Sequence, residues 1–212
     1  MGRPKRIILI RHGESQANVD RTLYDRIPDH KFSLTEKGRG QALAAGVELR
    51  KLVGDEAVHF YISPYQRTRE TYAEIARAFA PAAIRSYEEP RIREQDWGSF
   101  RSPAESDAVN AERDRYGNFF FRIPGGESGA DVYDRTSTFI DTMFRDFERD
   151  DFPPNAVLVT HGLTLRLFLM RWFHWSVEKF ERLRNPKNCQ WEVMTLEPSG
   201  RYCAPELAAH PE

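Results

Sequence analysis

The sequence predicts an α/β protein, a three-layer α/β/α sandwich around a mostly parallel sheet. Three observations predict this class. Short, partly β-branched apolar runs alternate along the chain with longer segments of helical periodicity. Two of these runs stop abruptly at a loop that contains a histidine, as buried parallel strands do at an open sheet edge. The 212 residues suit one domain with a core large enough to need no disulfide or metal.

Strands and one helix follow each other in the first part of the chain. Residues 7–10 (IILI) predict a buried strand, because the run is too short for a helix. Residues 58–62 predict a second strand, which a Ser-Pro pair closes. Residues 66–80 then predict a helix with one apolar face, and Pro81 ends it.

Between the first two strands the sequence predicts another helix. Thr35 is suited to cap its start, and Gly54 is suited to end it. Leu43, Val47 and Leu52 lie near one face of this helix.

The second part of the chain continues the alternation. Residues 132–147 have the most regular helical pattern, with apolar side chains at helical spacing and charges mostly opposite them. Residues 156–160 predict a second fully buried parallel strand, and residues 163–172 the helix after it. Residues 189–196 predict a last strand, and the segment beyond it is weakly specified.

One insert interrupts this pattern. Between residues 89 and 126 the sequence becomes rich in Pro, Gly, Ser and clustered charges, with an aromatic island at residues 116–121. We therefore expect a single domain over residues 1–212 with a lid at about residues 99–127, which either shapes the substrate pocket or packs as a simple flap.

Composition argues against several classes of function. The 31 basic and 32 acidic residues leave a net charge of -1, so no overall positive field attracts nucleic acid. The mean hydropathy is -0.64, and no apolar run approaches the roughly 20 residues of a membrane span. Residues 7–10 are too short for a signal-peptide core. Cys189 and Cys203 are too few for a disulfide framework or a zinc site. We expect a cytoplasmic protein without metal or cofactor, in an oligomeric state that the sequence leaves open.

Two histidines stand where predicted buried strands end. His12 and His161 follow two such strands, and ligands of open α/β sheets collect beyond these carboxyl ends. Arg11 precedes His12, and Arg67 follows the end of another strand. Each histidine alone is as consistent with a structural residue, but two imidazoles and two guanidiniums at one edge indicate a site for a multiply charged anion.

The motifs around these residues resemble those of the histidine phosphatase superfamily, also called phosphoglycerate-mutase-like. Five blocks occur in the family's order, and the resemblance covers residues 7 to 162. They are RHGES at 11–15, SPYQRT at 63–68, IREQDWG at 92–98, PGGES at 124–128 and THG at 160–162. The strings LTEKG, REQDWG and GESGADVYDR are most similar to the small fungal and plant acid phosphatases of this superfamily.

The resemblance implies a role for each of five residues. His12 is the residue that becomes phosphorylated; Arg11, Arg67 and His161 bind the phosphoryl group; Glu94 is the proton donor. A neutral imidazole with one nitrogen fixed by a backbone hydrogen bond presents its other lone pair to phosphorus. The two arginines with a cationic His161 would then neutralise the transferring charge, without a metal.

Other assignments are less specific. Ser15, Asn18 and Tyr24 follow His12 and are candidate substrate ligands, as is Ser128 in the PGGES block, where a turn explains the glycines equally well. Arg69 is the residue most easily confused with Arg67.

We expect a phosphomonoesterase acting on a small phosphorylated substrate. The loop after Asn18 lacks the Thr-Gly pair of the mutases, and the paired-arginine lid segment of mutases has no clear counterpart, so mutase chemistry is the alternative. A third possibility is a phospho-ligand or protein-binding member without turnover. The sequence does not choose among a sugar phosphate, a nucleotide, a lipid-derived phosphate and a phosphoprotein.

Overall fold

A five-stranded sheet forms the centre of the computed structural model, which describes residues 2–98, 103–203, 205 and 207. The strand order is β3-β2-β4-β1-β5, and every pairing is parallel except that of β5 with β1. The strands are β1 (Arg6–Arg11), β2 (Val58–Ile62), β3 (Ile84–Glu88), β4 (Asn155–Thr160) and β5 (Trp191–Thr195).

Seven α-helices accompany the sheet in the described part of the chain. They are α1 (Gln16–Val19), α2 (Glu36–Val53), α3 (Gln66–Ala76), α4 (Pro103–Tyr116), α5 (Gly129–Phe147), α6 (Gly162–Phe173) and α7 (Val177–Arg182). Short 3-10 turns cover Arg21–Asp25, Asp29–Lys31, Pro81–Ala83 and Pro90–Ile92. No helix within these residues is both long and apolar enough to cross a membrane.

Successive side chains of the central strands point to opposite faces of the sheet, and both faces are covered. Ile8 and Ile10 of β1 belong to one buried cluster, which includes Leu49 of α2 and Ile75 of α3. Their neighbours Ile7 and Leu9 belong to the opposite cluster, with residues of α5 and α6. The predicted three-layer α/β/α class is therefore confirmed.

The face of α2 that packs differs from the predicted one. Leu43, Val47 and Leu52 are 37–44% exposed, whereas the buried face carries Gly46 and Leu49, among others. A side chain at Gly46 would place its Cβ 2.7 Å from the Ile75 carbonyl oxygen. Close approach of α2 and α3 thus selects small residues at the contact and leaves the larger side chains outside.

Several boundaries also differ from the sequence prediction. Helix α3 ends at Ala76 rather than residue 80, and the last strand is Trp191–Thr195. The sequence analysis missed β3, because its mostly polar and exposed sequence does not show the apolar pattern of a buried strand. In the described part of the chain β3 is an edge strand that pairs with β2 alone. The sequence analysis also missed α4 inside the expected lid, of which residues 99–102 lie outside the described part of the chain.

The register of the strands brings three loops to one edge of the sheet. Arg11 at the end of β1 is paired with Thr160 at the end of β4, and Ile62 of β2 is paired with Val159. His12, Ser63 and His161 are therefore the first residues beyond three neighbouring carboxyl ends, where open α/β sheets bind ligands.

Candidate active site

His12 is held by backbone hydrogen bonds on leaving β1. Its amide donates to the Thr160 carbonyl at 2.9 Å, and its Nδ1 lies 2.7 Å from the Gly13 carbonyl oxygen. Because a carbonyl only accepts hydrogen bonds, Nδ1 carries the proton and Nε2 of the neutral ring carries the lone pair. Only glycine fits at position 13, because a Cβ there would lie 2.5 Å from the Gly38 carbonyl oxygen.

His161 packs against His12 at this edge. The two ring centroids are 5.2 Å apart at an interplanar angle of 61°. Nε2 of His161 is 2.8 Å from the Ser63 hydroxyl, and its Nδ1 is buried with no hydrogen-bond partner among the residues described. An unpartnered buried nitrogen in a native site calls for a ligand or a water.

Arg67 closes the site from the first turn of α3. It is 4% exposed, and its Nε donates to Nε2 of His12 at 3.3 Å. Its two terminal nitrogens bind the Asp29 carboxylate at 2.9 and 3.3 Å. Arg69, in contrast, has a 47% exposed side chain and pairs with Glu88, so the geometry distinguishes the two arginines.

Arg11 is the last residue of β1 and directly precedes His12. Its Nη1 donates to the Pro186 carbonyl at 2.6 Å, whereas its Nε is buried and lacks a partner within the described chain. Arg11 Nε and His161 Nδ1 are therefore two unsatisfied polar atoms in one cluster with Arg67, which is an arrangement suited to an anion.

Glu94 approaches His161 from the segment after Ile92. Its Oε2 is 3.8 Å from His161 Nδ1, beyond hydrogen-bond range, and its Oε1 accepts from the Gln95 amide at 3.0 Å. Burial raises the pKa of the Glu94 carboxyl, although Arg67 opposes this shift. Partial desolvation of this kind favours a carboxyl that keeps its proton.

A half-buried ion pair fixes the backbone that carries Glu94. Arg135 of α5 donates to the Glu94 carbonyl at 3.0 Å, and it pairs with Glu127 of the PGGES block. Glu127 also accepts from the Asp96 amide at 3.0 Å, while Thr164 of α6 donates to the Arg93 carbonyl. The PGGES block thus positions the segment bearing Glu94.

Burial favours the neutral form of both histidines. Burial lowers the pKa of His12 and that of His161 well below the ordinary histidine value of 6.5, and the nearby Arg67 lowers both further. The expectation of a cationic His161 concerns the site with a phosphoryl group in place and stays a prediction.

Ser15 directly precedes α1, the short helix after His12, and Asn18 lies within it. Ser15 is buried and bonds through its amide and its hydroxyl to the Asn18 side-chain oxygen. Asn188 donates both to that oxygen, at 3.3 Å, and to the His12 carbonyl, at 3.1 Å. Ser15 and Asn18 thus lie beside the histidine loop, and their contact with a substrate stays a prediction.

Tyr24 and Ser128 have other surroundings. Tyr24 is 40% exposed and lines a cavity of about 760 Å³ next to the site, together with Tyr65 and Asp29. Ser128 caps α5 in a reciprocal pairing with Asp131, which accounts for its hydrogen bonds. Its predicted contact with a substrate stays a prediction.

Sequence reasoning assigned no role to several residues of this cluster. Asp29 and Asn188 stand outside the quoted motifs, so no pattern pointed to them. Ser63 belongs to the SPYQRT block, and its place directly after β2 was the signal that could have identified it as the partner of His161.

Known proteins resemble this chain in sequence along most of its length. The family model described as "Histidine phosphatase superfamily (branch 1)" matches residues 7–204. Phosphoglycerate mutase-like protein AT74H of Arabidopsis thaliana is 48% identical over 94% of this chain and 76% of its own length. Broad-range acid phosphatase DET1 of Saccharomyces cerevisiae is 34% identical over 94% of this chain and 88% of its own.

A solved structure shares the fold. The mycobacterial glucosyl-3-phosphoglycerate phosphatase, in its complex with VO3, superposes with a TM-score of 0.71 at 22% identity, over 97% of this chain and 98% of the other. The resemblance seen in the motifs is thus confirmed. Given a family match that extends over nearly the whole sequence, this chain belongs to branch 1 of the histidine phosphatase superfamily.

Proposed function

We propose that this protein is a phosphomonoesterase that works through a phosphohistidine at His12. One observation carries the proposal: the proton of His12 is held on Nδ1 by the Gly13 carbonyl, which leaves the Nε2 lone pair beside Arg67 at a cluster with unsatisfied donors. A nucleophile whose other nitrogen is fixed in this way needs no deprotonation before it attacks phosphorus.

In the first step Nε2 of His12 forms a bond to phosphorus, and the bond from phosphorus to the ester oxygen breaks. Arg11 Nε, Arg67 and His161 Nδ1 bind the phosphoryl oxygens. A bound dianion raises the pKa of His161, so His161 becomes cationic with substrate in place. Charge neutralisation and positioning are the main requirements of phosphoryl transfer.

Glu94 handles the proton in both steps. Its carboxyl gives a proton to the leaving alkoxide, and its carboxylate then takes one from the water that attacks phosphorus. That attack breaks the bond from phosphorus to Nε2 and releases inorganic phosphate with a neutral His12. The raised pKa of Glu94 supports this assignment, since a proton donor must hold its proton at working pH.

The relatives support the reaction class. DET1 is named as a broad-range acid phosphatase, and the mycobacterial structure is a phosphatase.

We further propose a small phosphorylated substrate, a reaction that uses no metal, a cytoplasmic location, and a lid at about residues 99–127. Ser15, Asn18, Tyr24 and Ser128 stay candidate substrate contacts.

An aryl phosphate tests the proposal directly. The wild-type protein should release phosphate and form a phosphoenzyme that acid hydrolyses, and His12→Ala should lose both. Arg67→Ala should lower kcat/KM by at least about 100-fold, whereas Arg69→Ala, a matched arginine two positions away, should stay within about twofold of wild type. Equal losses in the two arginine variants would contradict the assignment of Arg67.

Two other functions are outcomes of the same test. A mutase given 3-phosphoglycerate and a bisphosphoglycerate primer would form 2-phosphoglycerate faster than free phosphate. A binding member of the family would turn over no ester between about pH 4 and pH 8 and trap no phosphoenzyme.

A further inference from the structure

We infer that the site acts on phosphate monoesters whose leaving group is an uncharged, nucleoside-sized alcohol with an aromatic ring. The inference rests on the proposed function and deepens it. It comes from the cavity of about 760 Å³ that opens beside the histidines, which we call the leaving-group cavity. Its lining includes three aromatic residues, Tyr24, Tyr65 and Trp97, and three aspartates, Asp25, Asp29 and Asp96.

The leaving-group cavity shares residues with the phosphate site. Asp29 lines it and binds Arg67, and Tyr65 lines it with its ring 5.1 Å from that of His161. An ester whose phosphorus lies at Nε2 of His12 therefore directs its alcohol into this space. The volume lies within the about 300–1,000 Å³ typical of sites for ligands of drug size, and is far more than a phosphate group fills.

Cation-π contacts hold two of the aromatic side chains in place. The Arg67 guanidinium lies over the Tyr65 ring, 4.9 Å from its centroid, and the Arg113 guanidinium lies at the same distance over Trp97. Arg113 is itself buried and donates to the Gln95 side chain at 3.3 Å. Rings held in this way can stack on a planar group without first losing side-chain freedom.

Tyr24 completes the aromatic lining from the 3-10 turn after α1. Its ring packs edge-to-face on Phe32, with centroids 4.9 Å apart. Arg21 from the same turn pairs with Asp107 of α4 at 2.9 Å and bonds to Ser106, so the turn is tied to the opposite wall.

The charges of the cavity disfavour a second anionic group. Two arginines, Arg21 and Arg26, line it against three aspartates, and Arg21 is already paired with Asp107. Asp29 is likewise paired with Arg67, which leaves Arg26 beside Asp25 and Asp96, so among the described residues of the lining a carboxylate such as that of phosphoglycerate meets an excess of negative charge. The hydrogen-bonding side chains of Asn110 and Ser106 suit the polar edge of an uncharged base or sugar.

Three alkyl phosphates separate this inference from its alternatives. Adenosine 5′-phosphate, ribose 5-phosphate and 3-phosphoglycerate are all esters of a primary alcohol, so their leaving groups have similar reactivity. We expect kcat/KM for adenosine 5′-phosphate to exceed that for ribose 5-phosphate by about tenfold through base stacking, with 3-phosphoglycerate the poorest. Equal values for the first two esters, or a preference for 3-phosphoglycerate, would overturn the inference.

Two variants locate the effect in the cavity. Tyr24→Leu and Trp97→Leu should each raise KM for adenosine 5′-phosphate about fivefold or more, and leave ribose 5-phosphate within about twofold. Tyr87→Leu is the matched control, because Tyr87 is 58% exposed on edge strand β3 and lines a different cavity. Equal losses on both esters in the two cavity variants would contradict ring stacking, and Tyr24→Leu decides if Trp97→Leu fails to fold.

Binding measurements keep the inference separate from the proposed function. If the wild-type protein turns over no ester and forms no phosphoenzyme, the proposed function fails, whatever the cavity prefers. Calorimetric titration of His12→Ala with adenosine 5′-phosphate and with ribose 5-phosphate then decides the inference. Tighter binding of adenosine 5′-phosphate supports it, and equal affinities overturn it.

Discussion

The guanidinium of Arg67 is shared between the carboxylate of Asp29 and the imidazole of His12. Its Nη1 and Nη2 lie 2.9 and 3.3 Å from the two Asp29 carboxylate oxygens, Nη1 also donates to the Asp29 carbonyl at 2.7 Å, and Nε lies 3.3 Å from His12 Nε2. A phosphate that binds at Nε2 must replace the bond to His12 and must approach an aspartate. Asp29 therefore orients Arg67 and at the same time opposes an incoming anion.

Replacing Asp29 should tighten phosphate binding. Asp29→Asn removes one negative charge near the site, so we expect the inhibition constant of inorganic phosphate to fall by about threefold or more. Asp29 also raises the pKa of Glu94, so the basic limb of the pH profile of kcat/KM should move to lower pH. Asp25→Asn, which removes a cavity aspartate outside the Arg67 ion pair, is the control. Weaker phosphate binding in Asp29→Asn would mean that orientation of Arg67 outweighs repulsion.

The effect of replacing Glu94 on turnover should depend on the leaving group. Glu94→Gln cannot protonate an alkoxide, so kcat for alkyl phosphates should fall by about 100-fold or more, and kcat for an aryl phosphate with a stable phenolate should fall much less. The ratio of the two rates in wild type and variant is the measurement. Equal losses on both ester classes would remove the proton-donor role from Glu94.

Ser128 offers a test of capping against substrate contact. Its hydroxyl pairs with Asp131 at the start of α5, so Ser128→Ala should lower the free energy of unfolding by about 1 kcal/mol and leave KM unchanged. Urea unfolding and steady-state kinetics measure the two effects. Ser176→Ala at the start of α7 gives the comparison for a cap elsewhere. A raised KM with unchanged stability would instead support a contact between Ser128 and the substrate.

The two buried histidines should make stability fall in acid. The folded-state pKa values of His12 and His161 lie well below the ordinary 6.5, so on lowering the pH the unfolded chain takes up protons first. Below about pH 6.5 the free energy of unfolding should then fall by about 1.4 kcal/mol per pH unit for each histidine.

Glu94 acts in the opposite direction. Its raised pKa means that the folded chain holds a proton that the unfolded chain loses above 4.5, so this contribution grows as the pH falls. Urea unfolding at about pH 5, 6 and 7 should show the net loss from the two histidines, and His161→Asn should have the shallower dependence. A slope unchanged in His161→Asn would contradict a neutral, buried His161.

Chelation should not affect turnover. The proposed steps use an imidazole nitrogen, two guanidiniums and a carboxyl, and none requires a metal. Activity should therefore be the same before and after exhaustive dialysis against EDTA. Activity lost on chelation and restored by a divalent cation would contradict this part of the proposal.

The central strands and their order of appearance were predictable from the sequence. IILI at residues 7–10 and AVLVT at 156–160 are apolar on both faces, and only a parallel strand covered by two helix layers buries such runs. Edge strand β3 gave no such signal, because its stability comes from pairing with β2 rather than from its own side chains. The packed face of α2 was missed because periodicity favours large apolar residues, whereas close helix contact favoured Gly46.

The motif residues His12, Arg67, Glu94 and His161 could be named from the sequence because local blocks mark them, but their protonation and partners depend on distant residues. The Nδ1 proton of His12 follows from a neighbouring carbonyl, whereas the lowered pKa of His161 follows from its burial. The pairing of Asp29 with Arg67 joins residues 38 positions apart.

The sequence by itself determined the fold class, the family and which side chains stand at the ends of the strands, since these depend on local patterns of apolar and polar residues. Only the tertiary structure decided that Arg67 rather than Arg69 faces His12, that PGGES supports the Glu94 segment, and that Tyr24, Tyr65 and Trp97 line one cavity. Burial and charge at a site are sums over residues from many segments, so they exist only once the chain has folded.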